Sequence, residues 1–296
     1  MSFSIEKVIS ERSIRRNKLQ NFAYVLKNFF THKDFLVPGS QIPGTLFTPL
    51  AIAFSCLVMA LVLGCAHAVS GKSREQIRKI FAWHWIAIVV LEIAIVTWES
   101  LAAKNVGLDL QTNLSLYPCS LYIYTMPFII WGKGVWKKMA CGYMLTLGLL
   151  GALVNFLYPA TRLPYYSCIS FPGFHTFFYH GSMLFTCIVL LRSGICGYQA
   201  VSRRELFYPC IPTLLLSIPA NLINYSSIDA DYMFFRGKMD VVALALPGLG
   251  EVEITLVLYG LYILVPALFF LPSYLAERRR VSRMEELEEY LALSWA

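Results

Sequence analysis

Apolar residues in this chain come in long unbroken runs, not in alternation and not in a single stripe. Seven runs stand out, over residues 46–68, 80–98, 114–131, 139–158, 171–191, 207–225 and 253–274. Each approaches the roughly 20 residues that carry a helix across a bilayer. A membrane β-barrel would alternate apolar and polar positions in strands of about ten. The pattern therefore predicts an all-α fold: a polytopic membrane helix bundle of about seven transmembrane helices. The third run, Leu114 to Trp131, is the shortest. At about 1.5 Å per residue it only just crosses the hydrocarbon.

Little lies outside these runs. The expected organisation is a basic amphipathic N-terminal tail over 1–43, a seven-helix domain over 44–275 and a C-terminal tail over 276–296. Met1 to Gln20 is charged and lacks an apolar h-region, so no cleavable signal peptide is expected. No solenoid-type repeat or low-complexity tract is present.

Composition agrees. Apolar residues make up 57% of the chain, charged residues only 15%, and the mean hydropathy is +0.58. Soluble chains carry roughly 25% charged residues. The eight cysteines include no Cys-x-x-Cys pair, and most fall inside runs, where a thiol acts as a small hydrophobe. This predicts neither a disulfide framework nor a zinc ribbon.

A net charge of +7 could suggest nucleic acid, but in a membrane protein Lys and Arg report topology by staying cytoplasmic. Fourteen of them lie in one set of connections: Lys72 to Lys79, Lys133 to Lys138, Arg192 to Arg204 and Arg278 to Arg283. The opposite set holds four: Lys104, Arg162, Arg236 and Lys238. The first set is assigned to the cytoplasm, with the C-terminus inside and the N-terminus outside. The tail resists this assignment, since it carries seven Lys and Arg. It is read as an interfacial amphipathic helix, with Phe22, Leu26, Phe29 and Phe30 towards lipid. The alternative is that part of it re-enters, placing the terminus inside. The Glu285–Tyr290 stretch reads as a short cytoplasmic amphipathic helix with a solvated acidic face.

Ionisable groups inside spans are costly, so each is a functional candidate. With the topology above, Glu92, Cys119, Asn155, His175, His180, Asn221 and Asn224 fall near the outer ends of their spans. At about 1.5 Å per residue they share a slab within about 14 Å of the surface. His67 and His84 fall at inner ends. Helices two to six contribute, the pattern of a shared pocket. Plainer readings stand beside it. Asparagine near a helix end is commonly a cap or an interhelical hydrogen bond, and His175 reads as a helix–helix contact. Glu92 is harder to dismiss, because a carboxyl in hydrocarbon must be protonated, paired or wet. Glu92 and Glu99 share a helix face.

A thiol becomes a strong nucleophile when a base takes its proton, and Cys119 and His180 lie at compatible depths. Asparagine amides could stabilise an oxyanion. No His-Glu-x-x-His, Gly-x-Ser-x-Gly or Walker pattern is present.

Four segments carry a family resemblance. Leu114 to Met126, LSLYPCSLYIYTM, resembles the third helix of the YwaF-like bacterial integral membrane family, which typically shows Leu-Pro-Leu-His-Leu-Cys there. The family's animal relative, a transmembrane ether-phospholipid acyltransferase, shows Asn-Pro-Cys-His. Pro118-Cys119 is similar to the animal form, while Tyr117 stands where bacterial members usually carry His. Gly151 to Pro159 resembles the family's Gly-Ala-Leu-x-x-x-Leu-Phe-Pro helix end, and Phe177 to Leu184 its His-Gly helix. Asn224-Tyr225 with Asp231 to Gly237 resembles the bacterial Asn-Tyr-Met-Phe-Leu-Arg stretch. The order and spacing of the four cover roughly residues 40–275.

The resemblance implies a phospholipid acyltransferase or acyl hydrolase. Cys119 would carry the acyl group, His180 would act as general base and then general acid, and lysophospholipid would accept. It implies phospholipids and lysophospholipids as partners, no nucleic acid, no cofactor and a bacterial cytoplasmic membrane. Two other classes remain open. In a transporter or channel, Glu92, His180 and the asparagines would line a polar path, with Pro209, Pro212 and Pro219 interrupting span six. In a seven-helix zinc hydrolase, Cys119, His175 and His180 would be ligands. Five residues of spacing turn those two histidines about 140° apart, a poor fit for one metal.

Overall fold

The computed structural model describes residues 24, 26–36, 43–104, 107, 113–159, 162–198, 200–227, 230–238 and 240–294. Among them every regular element is helical. The helices are α1 (Pro49–Ser70), α2 (Arg74–Ala102), α3 (Leu121–Ile130), α4 (Gly134–Leu157), α5 (Phe171–Ser193), α6 (Arg203–Ser226), α7 (Asp240–Ala245) and α8 (Glu251–Ser294). Six of these, all except α3 and α7, are long and apolar enough to cross a membrane. The chain is a polytopic helical bundle.

Local chemistry sets the ends. Thr48 caps α1 through its hydroxyl, which accepts from the Ala51 N–H, and Pro49 takes the first position, where a missing N–H costs nothing. Ser73 and Gln76 close a reciprocal capping box at the start of α2. That box begins α2 six residues before the apolar run, so Arg74, Arg78 and Lys79 are helical, and Lys79 pairs with Glu75 at 2.8 Å. Gly194 ends α5 in the left-handed conformation, at φ 62°.

The bundle has an inside and an outside. Of the apolar window of α5, 72% is buried, against 11% for α1. α4 and α5 therefore form the protein-lined centre, and α1 presents most of its surface to lipid. Gly181 lets α1 approach α5. A Cβ there would meet Val62 at 3.3 Å and Val58 at 3.5 Å.

The third run corrects the sequence reading. Helix begins only at Leu121, and α3 has ten residues, too short to span alone. Pro118 lacks an N–H and pushes Tyr117 away from helical geometry, so the chain enters through turns. The Ser120 N–H bonds the Tyr117 carbonyl at 2.9 Å and the Tyr122 N–H bonds the Cys119 carbonyl at 3.0 Å. Irregular backbone at this depth survives only where protein covers it. Tyr143 of α4 donates its hydroxyl to the Pro118 carbonyl at 2.5 Å. A second proline, Pro127, leaves the Ile123 carbonyl without its helical donor, and the Trp85 indole N–H fills the place at 2.9 Å.

Three further departures follow. α4 contains a π turn at Met144–Gly148, and the Cys187 thiol donates to the Met144 carbonyl at 3.0 Å. Cys141 and Cys196 are disulfide-bonded, with Cα atoms 6.0 Å apart. The bond is a single crosslink over 55 residues that no local spacing reveals. Finally, α8 runs 44 residues without a break, about 66 Å, so the expected separate C-terminal helix is its continuation.

The expected tail helix lies largely outside the described residues, Phe22 included. Its described end packs on the C-terminal end of α2 and the N-terminal end of α5. The Phe171 N–H donates to the Phe29 carbonyl at 3.0 Å, and the Trp98 indole N–H donates to the Phe30 carbonyl at 3.0 Å.

Candidate functional site

Glu92 of α2 is the centre of the polar layer. Its Oε2 lies 2.9 Å from His175 Nε2 on α5, and its Oε1 accepts the Ser115 hydroxyl at 2.5 Å. Three elements thus converge on one carboxylate. One turn further along α5, Tyr179 stacks obliquely on the His175 ring, with centroids 5.7 Å apart. Its hydroxyl donates to the Cys119 carbonyl at 3.4 Å. Glu92, His175, Tyr179 and Cys119 therefore form one connected layer.

Cys119 is partly exposed and sits two residues before α3.

His180 is oriented differently. Its Nδ1–H donates to the Thr176 carbonyl, one turn back, at 2.8 Å. That bond fixes the tautomer and leaves Nε2 as the acceptor nitrogen. No described hydrogen bond joins His180 to Cys119.

An ion pair lies at the same end of the bundle. Arg162 Nη1 donates to Glu99 Oε1, so all three carboxylates of α2, Glu75, Glu92 and Glu99, are partnered. Tyr117 packs on Tyr232 and Phe234, with centroids at 5.2 Å and 5.3 Å.

The asparagines divide. Asn224 closes both amide atoms on the backbone of Tyr232: Nδ2 donates to its carbonyl at 2.9 Å and Oδ1 accepts its N–H at 2.8 Å. This holds a buried turn in which Met233 and Phe234 adopt φ 59° and 60°. The Tyr232 hydroxyl then accepts the Leu114 N–H at 2.8 Å, tying that turn to the entry of the third span. Asn221 donates to the Tyr259 hydroxyl at 2.6 Å and to the Ser217 carbonyl at 2.9 Å. Neither side chain reaches Cys119 in the described network. Asn155 Nδ2 is buried with no partner among the described residues. Ser115, Tyr143 and Tyr179 were not singled out by the sequence. Only Tyr179 left a signal, standing four residues from His175 on one helix face.

Among the described residues no three His, Cys, Asp or Glu side chains are arranged to hold a metal, so the zinc-hydrolase reading has no ligand set there.

The TMEM164 family model matches residues 43–271. The chain belongs to the TMEM164 family. The matched segment contains the whole layer just described, from Glu92 to His180, and stops within α8. Membership and the six crossing helices make this TMEM164-family protein an integral membrane protein. No curated protein and no solved structure matches the chain.

Proposed function

We propose that this protein is a membrane phospholipid acyltransferase, or acyl hydrolase, that works through an acyl-cysteine at Cys119. One observation carries the reading: the third span breaks at Cys119, so a thiol on irregular backbone sits in the polar layer of an apolar bundle. The YwaF-like motifs support it by selecting Cys119 and His180. The bacterial side of that resemblance also supplies the bacterial cytoplasmic membrane as the location.

The reaction has two halves. His180 Nε2 takes the thiol proton, and sulfur attacks the ester carbonyl of a donor phospholipid. The Cys119 N–H stabilises the oxyanion. The lysophospholipid leaves with the proton, and a second lysophospholipid, or water in a hydrolase, takes the acyl group from sulfur. The layer lies near the outer ends of the spans, at the depth of the ester bonds of outer-leaflet lipids.

The test is acyl exchange by Cys119→Ser in phospholipid vesicles. Loss of exchange supports the proposal, and exchange as fast as the parent's ends it.

A transporter reading draws on the interrupted third span and on Pro219 inside α6. Solute flux that survives Cys119→Ala and is lost in Glu92→Gln would replace the acyltransferase reading.

A further inference from the structure

Resting on the acyl-cysteine reading, we propose that His175, held by Glu92 and Ser115, is the base that activates the acceptor hydroxyl when acyl-Cys119 is discharged.

The hydrogen-bond inventory of the pair leads there. A carboxylate only accepts, and a neutral imidazole has one donor and one acceptor nitrogen. With the imidazole proton on Nε2, it is donated to Glu92 Oε2 at 2.9 Å. The Ser115 hydroxyl occupies Oε1, which fixes the carboxylate plane. Nδ1 of His175 is then a bare lone pair. It is buried and has no partner among the described residues. Buried polar atoms are nearly always hydrogen-bonded, so this nitrogen calls for a donor. The donor that acyl transfer supplies is a hydroxyl.

Position supports the assignment. Tyr179 links the His175 ring to the Cys119 carbonyl.

The two histidines then divide the work. His180 is tied to its own helix backbone and has no carboxylate partner among its described bonds. His175 has one, which stabilises the imidazolium that forms when it removes a hydroxyl proton. In the step, the acceptor oxygen bonds the acyl carbon and its proton goes to His175 Nδ1. The C–S bond breaks with its electron pair on Sγ, and the proton returns from Nδ1 to sulfur. The products are the diacyl lipid and the Cys119 thiol, with no other reactant.

The experiment follows the intact mass of the full chain in phosphatidylcholine vesicles. Acyl-Cys119 is allowed to form, lysophosphatidylcholine is added, and loss of the adduct is timed. His175→Gln is expected to accumulate the acyl adduct and to discharge it on the order of 100-fold more slowly than the parent. Hydroxylamine, which needs no base, is expected to strip parent and variant equally fast. Should His175→Gln fail to fold, Glu92→Gln keeps the volume at the neighbouring position and is expected to slow the same step about tenfold. Discharge at the parent rate in the folded variants overturns the role of His175 alone. A parent that never carries an adduct overturns the acyl-cysteine reading, and this role with it.

Discussion

Tyr179 donates its hydroxyl to the Cys119 carbonyl while its ring lies against His175. One side chain thus sets the spacing between the thiol and the Glu92–His175 pair. Tyr179→Phe keeps the ring and removes one neutral hydrogen bond, worth about 0.5–1.5 kcal/mol. The expected result is an acyl-transfer rate about tenfold lower with little change in melting temperature. An unchanged rate would mean that this bond does not position Cys119.

Asn224 is a structural clamp. Asn224→Ala removes both side-chain hydrogen bonds to the Tyr232 backbone, a loss of about 1–3 kcal/mol. Thermal unfolding in detergent measures the loss. Hydrogen exchange should rise at the Tyr232 amide and at the Leu114 amide that bonds the Tyr232 hydroxyl. Protection retained at both would contradict the clamp.

The Cys141–Cys196 bond lies on the face that the charge count assigns to the cytoplasm, where thiols are kept reduced. In that compartment the pair is expected as two thiols that close on oxidation. Alkylation of freshly lysed cells should label both, and air-oxidised protein should lose two labels. A bond already closed in cells under reducing conditions would point to the opposite topology.

The outer tail segment carries a pH-dependent tie. Asp34 accepts the Lys104 N–H at 3.1 Å, which holds its carboxyl below the ordinary 3.8, and His32 and Lys33 act in the same direction against burial. A lowered folded value means the tie contributes fully above 3.8 and is lost as pH falls through the folded value. Exchange at the Lys104 amide, corrected for intrinsic rates, should lose protection only in that acidic window. Loss near neutral pH would contradict it.

Much of the bundle is legible in hydropathy alone, because six of the seven runs coincide with the six crossing helices. The ends are less so. Ser73 and Gln76 extend α2 beyond its apolar stretch through side-chain capping, which hydropathy does not register. The break in the third span is invisible to hydropathy because Leu114 to Tyr117 is as apolar as a helix, yet Pro118 denies it helical geometry. For the site, depth along the helices brought Glu92, His175 and Cys119 to one level. Which of them touch depends on the rotation of α2 against α5. Asn224 was indistinguishable from a pocket residue until the turn after α6 was seen folded onto it. Ser115 and Tyr143 sit inside apolar runs and act through backbone that only the broken span exposes.

The central claim is that Cys119 carries an acyl group, and intact mass spectrometry of the detergent-purified protein tests it most directly. The account predicts an adduct of fatty-acyl mass that hydroxylamine releases and that Cys119→Ala lacks. A parent protein at its unmodified mass after incubation with phospholipid, or an adduct that persists in Cys119→Ala, would contradict it.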